Sequence, residues 1–209
     1  MLNKIKNFLK NFFIIAESFK EVRSIARRMF ITNSFDSIFA SLGVMVGAYE
    51  PSLNSLVLGM SILGSSLTMG IFSSIISVYF SERNERLKEL KELEKALMVS
   101  LKDSIYGKSI NFLSLYVSLW SGVGAFVFTS LISLPFLASH LFNFNMTQAL
   151  IISLIISFFE LGYLGYYMAK ISSESALINI VKNIILGLLA IAFVFLIKYA
   201  LRIYSGGWI

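Results

Sequence analysis

The sequence predicts an all-α, polytopic membrane protein with five transmembrane helices, N-terminus cytoplasmic and C-terminus outside. Three observations lead there. Hydrophobic residues make up 56% of the 209 and charged residues only 14%, against about 25% charged in an ordinary soluble domain. Apolar stretches at about 30–49, 55–80, 111–137, 147–168 and 179–203 each reach the roughly 20 residues that cross a hydrocarbon core about 30 Å thick. Finally, 14 of the 18 Lys and Arg fall in two blocks, Lys4 to Arg28 and Arg83 to Lys108. The net charge of +6 therefore reports topology before it reports a ligand: the expected partner is the lipid bilayer and not nucleic acid.

Residues 1–29 begin MLNKIKNFLKNFFIIAESFK, a basic head with an apolar patch that Lys and Glu interrupt and that no small-residue cleavage site follows. It is expected to be a retained amphipathic helix and not a signal peptide. Residues 30–80 hold spans one and two, 81–109 a Glu-rich cytoplasmic helical segment, and 110–209 spans three to five. The basic N-terminal arm and the basic 81–109 segment belong inside, because the connections at 50–54 and 138–146 carry no Lys or Arg. Lys198 and Arg202, near the outer end of span five, run against this orientation, but long cationic side chains snorkel to the headgroups. No internal repeat is visible, and an odd helix count does not suit an inverted repeat within one chain. Symmetry in a transport path would have to come from a second copy.

In the first span, FITNSFDSIFASLGVMVGAY, Asn33, Asp36, Ala40, Gly43 and Gly47 recur at helical spacing, so an amide and a carboxylate share a face with small residues. A carboxylate at that depth costs on the order of 2.5–3.5 kcal/mol on insertion scales, which makes Asp36 a functional candidate; a structural hydrogen bond near the interface is the alternative. The second span is rich in Gly, Ser and Thr, and Met69 and Ser73, four apart, are expected on one α-helical face. A thioether suits a soft transition metal, although a membrane Met more often packs.

That span is expected to continue as one helix through SERNERLKELKELEKALMVSLKD. There Glu82, Glu85, Glu89 and Glu92 form a stripe apart from Lys88, Lys91 and Lys95. Such a stripe holds divalent cations when a facing helix adds ligands, or it is simply a solvated helix laced with Glu–Lys pairs. Glu160, in the fourth span, is the other deep acid: a proton carrier or the partner of a neighbouring helix. With no Cys and one His, thiolate sites, disulfides and Ser-His-Asp catalysis lose their usual residues. His140, expected in the outer loop, has no catalytic role here, no tightly bound cofactor is expected, and the chain does not read as an enzyme.

The combination of RRMFITNSFDSIFASLGVMVGAY, SLTMGIFSSIISVYFSERNER and ALINIVKNIILGLLAIAFVF resembles the vacuolar iron transporter family, over about Arg27 to Ile203, as a short prokaryotic-type member. The resemblance implies export of Fe²⁺, and often Mn²⁺, from the cytosol in exchange for protons, by a homodimer whose path lies between the subunits' first two spans. It implies that Asp36 is the family's membrane-embedded carboxylate, that Met69 is its second-span Met, and that Glu82, Glu85, Glu89 and Glu92 begin its metal-collecting region. Asn33, Asp36, Ser73 and Glu160 are then the expected path or proton-coupling residues. Two departures stand out. Ser73 occupies about the place of a family Glu, and fewer than 30 residues separate spans two and three, where plant and yeast-like members insert a larger domain. The implied location is the cell membrane of a prokaryote, or a vacuolar or other organelle membrane of a eukaryote. The competing expectation is a non-transporting membrane scaffold or assembly subunit whose charged helix docks a soluble partner.

Overall fold

The computed structural model describes residues 20–142 and 145–204. The part of the amphipathic N-terminal helix expected over 1–19 lies outside the described residues. Among those described, the chain is helical throughout: α1 (Lys20–Gly47), α2 (Ser55–Leu67), a π-helical segment (Thr68–Ser77), α3 (Val78–Leu97), α4 (Ile105–Phe142), α5 (Met146–Ser172) and α6 (Ala176–Tyr204). α2, the π segment and α3 form one continuous helix of 43 residues, as the sequence suggested. Five helices among the described residues are long and apolar enough to cross a membrane, and they fit a multi-pass membrane protein.

The helix ends follow from local chemistry. α1 stops at Gly47, ahead of Glu50 and Pro51, because a residue before proline is driven away from helical geometry. Asn54 opens α2, its side-chain oxygen accepting the Leu56 N–H at 2.9 Å. Ser104 opens α4 in the same way, accepting the Gly107 N–H at 3.1 Å. Asn145 and Gln148 form a reciprocal capping box at the start of α5. Ser173 closes α5 in the left-handed conformation (φ 57°) with its N–H on the Ala169 carbonyl. α4 runs on to Phe142 with Pro135 accommodated inside it, so His140 stands in a helix and not in the expected outer loop.

The described residues separate into two compact units, 20–33 with 68–124, and 34–67 with 125–142 and 145–204. The first has a core of Val22, Ala26, Leu113, Tyr116 and Val117, against which Ile25, Met29 and Val78 pack. In the second, Ile38, Leu42, Leu58, Ile62, Ile132, Phe136, Leu161 and Leu164 are fully buried. α4 is the most deeply buried of the five long helices and α6 the least, with 56% and 11% of their apolar windows buried. α6 is thus the long helix that its own chain covers least.

Hydroxyls inside the helices turn back onto their own backbone. Ser37 and Ser41 in α1, Ser114, Ser118, Thr129 and Ser133 in α4 and Ser157 in α5 each donate to a carbonyl three or four residues earlier. This satisfies the hydroxyl where no water is at hand and keeps the stripe narrow enough for close helix packing. Small residues also set the α5–α6 seam. A Cβ at Gly165 would lie 2.8 Å from the Asn179 carbonyl oxygen, and one at Gly187 would lie 2.6 Å from a Leu161 methyl. Asn183 crosses the same seam, its amide donating to the Leu161 carbonyl at 3.2 Å.

Gly165→Ala should therefore destabilise the folded chain by about 1–3 kcal/mol, since the clash is with backbone and cannot be relieved by a rotamer change. Gly43→Ala, where nothing lies within 4 Å, should leave stability unchanged or raise it. Thermal unfolding in detergent followed by circular dichroism compares the two.

Candidate functional site

The first unit is organised around one amide. Asn33 of α1 donates through Nδ2 to Ser121 Oγ of α4 at 2.6 Å and to the Met29 carbonyl of its own helix at 3.0 Å. Its Oδ1 accepts the Ser74 hydroxyl of the π segment at 3.1 Å. Three helical segments thus meet at a single carboxamide with both N–H groups and its oxygen engaged. Beside it the π segment comes so close to α4 that a Cβ on Gly122 would lie 3.0 Å from the Gly70 carbonyl oxygen and collide with the Ile75 side chain. Glycine at 122 is what allows the approach.

In the π segment the hydrogen bonds close from i to i+5, and such stretches concentrate at functional sites. Within it Met69 is half-buried, Ser73 exposed and Ser74 buried. Ser74, not Ser73, joins the polar junction.

Asp36 belongs to the second unit. It is exposed on α1, whereas Ser34, Ser37, Ile38 and Ser41 of the same helix are buried, so its carboxylate faces away from the packed side of its own chain. Glu160 is its opposite. It lies in the buried row of α5 with Ser153, Ser157, Leu161 and Leu164 and is 4% exposed. Neither of its carboxyl oxygens has a hydrogen-bond partner among the described residues.

The Glu stripe of α3 divides in two. Glu82 pairs with Arg86 at 3.3 Å, and Arg86 is 5% exposed. Glu89 accepts the Tyr106 hydroxyl at 2.8 Å, and Arg83 Nε donates to Asn111 Oδ1 at 2.9 Å, which fastens α3 to the first turns of α4. Glu85 and Glu92 stay exposed, Glu85 in a loose 3.6 Å pair with Lys88. Among the described residues no three His, Cys, Asp or Glu side chains group closely enough to hold a metal ion. Ser121, Gly122, Arg86 and Tyr106 were not singled out from the sequence; a Ser-Gly pair inside a long apolar stretch is the one signal that pointed to the first two.

The chain is 28% identical over 169 residues, 79% of its own length and 84% of the other's, to a protein of Methanocaldococcus jannaschii that bears the name "Uncharacterized protein MJ0645". The match thus runs over about four-fifths of each chain. No family model matches the sequence. No solved structure matches it either.

Removing the junction amide should cost measurable stability. Asn33→Ala is expected to lower the unfolding free energy in detergent by about 1–2 kcal/mol, two interhelical hydrogen bonds at roughly 0.6 kcal/mol each plus the orphaned hydroxyls. A double-mutant cycle with Ser121→Ala should return a coupling of about 0.6 kcal/mol.

Proposed function

We propose that this chain is a divalent transition-metal transporter that moves Fe²⁺, and Mn²⁺, out of the cytosol in exchange for protons, along a path formed where two copies meet. The observation that carries this reading is Asp36, a carboxylate inside an apolar helix yet exposed on the surface of its own chain. In hydrocarbon such a group is costly unless something beyond the chain covers or neutralises it. A second copy, with a cation between the two carboxylates, meets that need.

Three further features support it. Met69 stands at the start of the π segment, half-buried, as a soft donor that favours Fe²⁺ over Mg²⁺ or Ca²⁺. The divided Glu stripe leaves Glu85 and Glu92 open to water, where they would gather cations, while Glu82 and Glu89 fasten the helix. Glu160, enclosed and without a partner among the described residues, is the proposed proton carrier. The basic segments at both ends of the first two spans orient the chain with its N-terminus in the cytosol and its C-terminus outside.

Asp36→Asn in proteoliposomes is expected to abolish Fe²⁺ uptake driven by a pH gradient while the protein still folds; undiminished flux would remove Asp36 from the path. Glu85→Gln with Glu92→Gln should raise the half-saturating Fe²⁺ concentration several-fold and leave the maximal rate nearly unchanged, as expected of residues that concentrate the ion without passing it.

A second reading, a non-transporting scaffold, draws on the exposed Leu93, Leu97, Met98 and Val99 at the tip of α3, an apolar patch of the kind that partners cover. Thermal-shift titration of the purified protein with Fe²⁺, Mn²⁺, Zn²⁺ and Mg²⁺ separates the two, because only a ligand that prefers the native state raises its stability.

A further inference from the structure

Glu160 is enclosed, and a proton carrier has to be reached by protons. Both of its carboxyl oxygens lack a hydrogen-bond partner among the described residues, and so do the hydroxyls of Ser153 on the same helix and Ser130 on α4. All three residues belong to the second unit. Ser153, Ser157 and Glu160 recur at helical spacing and are 0%, 0% and 4% exposed, so they form one buried row along α5. Among the side chains described in this unit, Glu160 is the only buried one that can carry a charge. Buried polar groups that the protein leaves without a partner are met by ordered water.

α4 supplies a matching row. α5 begins shortly after α4 ends, so the two helices run antiparallel, and the Phe128 ring lies 6.4 Å from that of Tyr163. Counting equally along both helices from that pair brings Ser130 level with Glu160, Ser133 with Ser157 and Ser139 with Ser153, each to within about one residue. Ser133 and Ser157 donate to their own backbones and keep lone pairs that accept. The row ends at Ser139, which hydrogen-bonds the half-buried Ser55 at the start of α2, beside the 50–54 connection. In the other direction it stops: the buried positions of α5 past Glu160 are Leu161, Leu164, Gly165 and Ala169, none with a hydroxyl. We propose that Glu160 exchanges its proton through this double row of hydroxyls, with waters bridging at Ser130 and Ser153, and only toward the end of the unit where α2 and α5 begin. The inference rests on the reading of Glu160 as the proton carrier. Each hop breaks one O–H bond and forms the next, and the net change is one proton added to or taken from the Glu160 carboxyl group.

The test is infrared spectroscopy of the whole chain in maltoside detergent, without metal, where the carbonyl stretch of a protonated carboxylic acid stands apart from the bands of ionised acids. The band that Glu160→Gln removes belongs to Glu160, and its shift after mixing into heavy water times the exchange of its proton. Ser153→Ala should slow that exchange severalfold, and Ser153→Val, which also fills the space a water would use, about tenfold. Leu164→Met, a volume-conserving change on the far side of Glu160, should leave the rate as it is. Ser153→Ala removes only a hydroxyl from the helix, so it reads the route even if the valine is not accommodated. Absence of a Glu160 band in the unchanged chain would remove the proton-carrier reading and the route together. A band whose exchange is indifferent to Ser153→Ala, or is slowed as much by Leu164→Met, would overturn the route alone.

Discussion

The carboxamide of Asn33 is committed in three directions, and the first unit is arranged around that commitment. An amide inside an apolar bundle has to find its partners within the protein. Asn33 finds them on α4, on the π segment and one turn back on α1. Small residues surround the junction because the helices must come within hydrogen-bond range of one side chain: glycine at 70 and 122, serine at 74 and 121. The apolar packing of Val22, Ala26 and Met29 against Leu113, Tyr116 and Val117 secures the same stretch of α1 on the adjoining turns. Polar specificity and apolar adhesion thus act on one segment of helix.

The two acids within the apolar spans occupy contrasting settings in the second unit. Asp36 is open to whatever lies beyond the chain; Glu160 is closed off from it. The contrast underlies the proposed division of labour, with the metal meeting the accessible carboxylate and protons the enclosed one. The carboxylates of α3 divide on a similar principle. Those that meet Arg86 and Tyr106 are structural ties, and those that face solvent keep their charge available.

Much of the fold was legible in the sequence, since twenty-residue apolar stretches have few ways to satisfy their backbone in a membrane other than as helices. The five spans follow from that constraint, and the unbroken run into the charged segment follows from the helical spacing of its Glu, Leu and Lys residues. Asn33 stood out as an amide in an apolar run, but its partners on α4 and the π segment did not, because Ser121 and Ser74 are distant in sequence. The π segment was not. A stretch of Gly, Ser, Thr and Ile can close its hydrogen bonds at either i+4 or i+5, and its sequence carries no preference strong enough to show which. Ser74 became the junction residue and Ser73 did not through contacts with Asn33 and Gly122, residues 41 and 52 positions away from it and from Gly70. The division of the Glu stripe was hidden for the same reason. Regular spacing places four carboxylates on one arc, but Tyr106 and Arg86 decide which are used up. α4 runs past its apolar stretch at both ends, from Ile105 to Phe142, because a helix need not stop where its hydrophobicity does.

The π segment also fixes a bearing. Each residue of an α-helix turns the chain by about 100°, so a stretch wound more loosely hands on a different azimuth to whatever follows without a break. α3 follows without a break. The direction in which Arg83, Arg86 and Glu89 meet α4, and in which Glu85 and Glu92 look away from it, is therefore inherited from the winding of Thr68–Ser77. Were that stretch to tighten into an ordinary α-helix, the charged helix beyond it would have to rotate about its own axis and exchange its fastened face for its open one. The second span is thus a shaft as well as a wall, and a change of pitch at the Asn33 junction would be felt as torque at the carboxylates of α3.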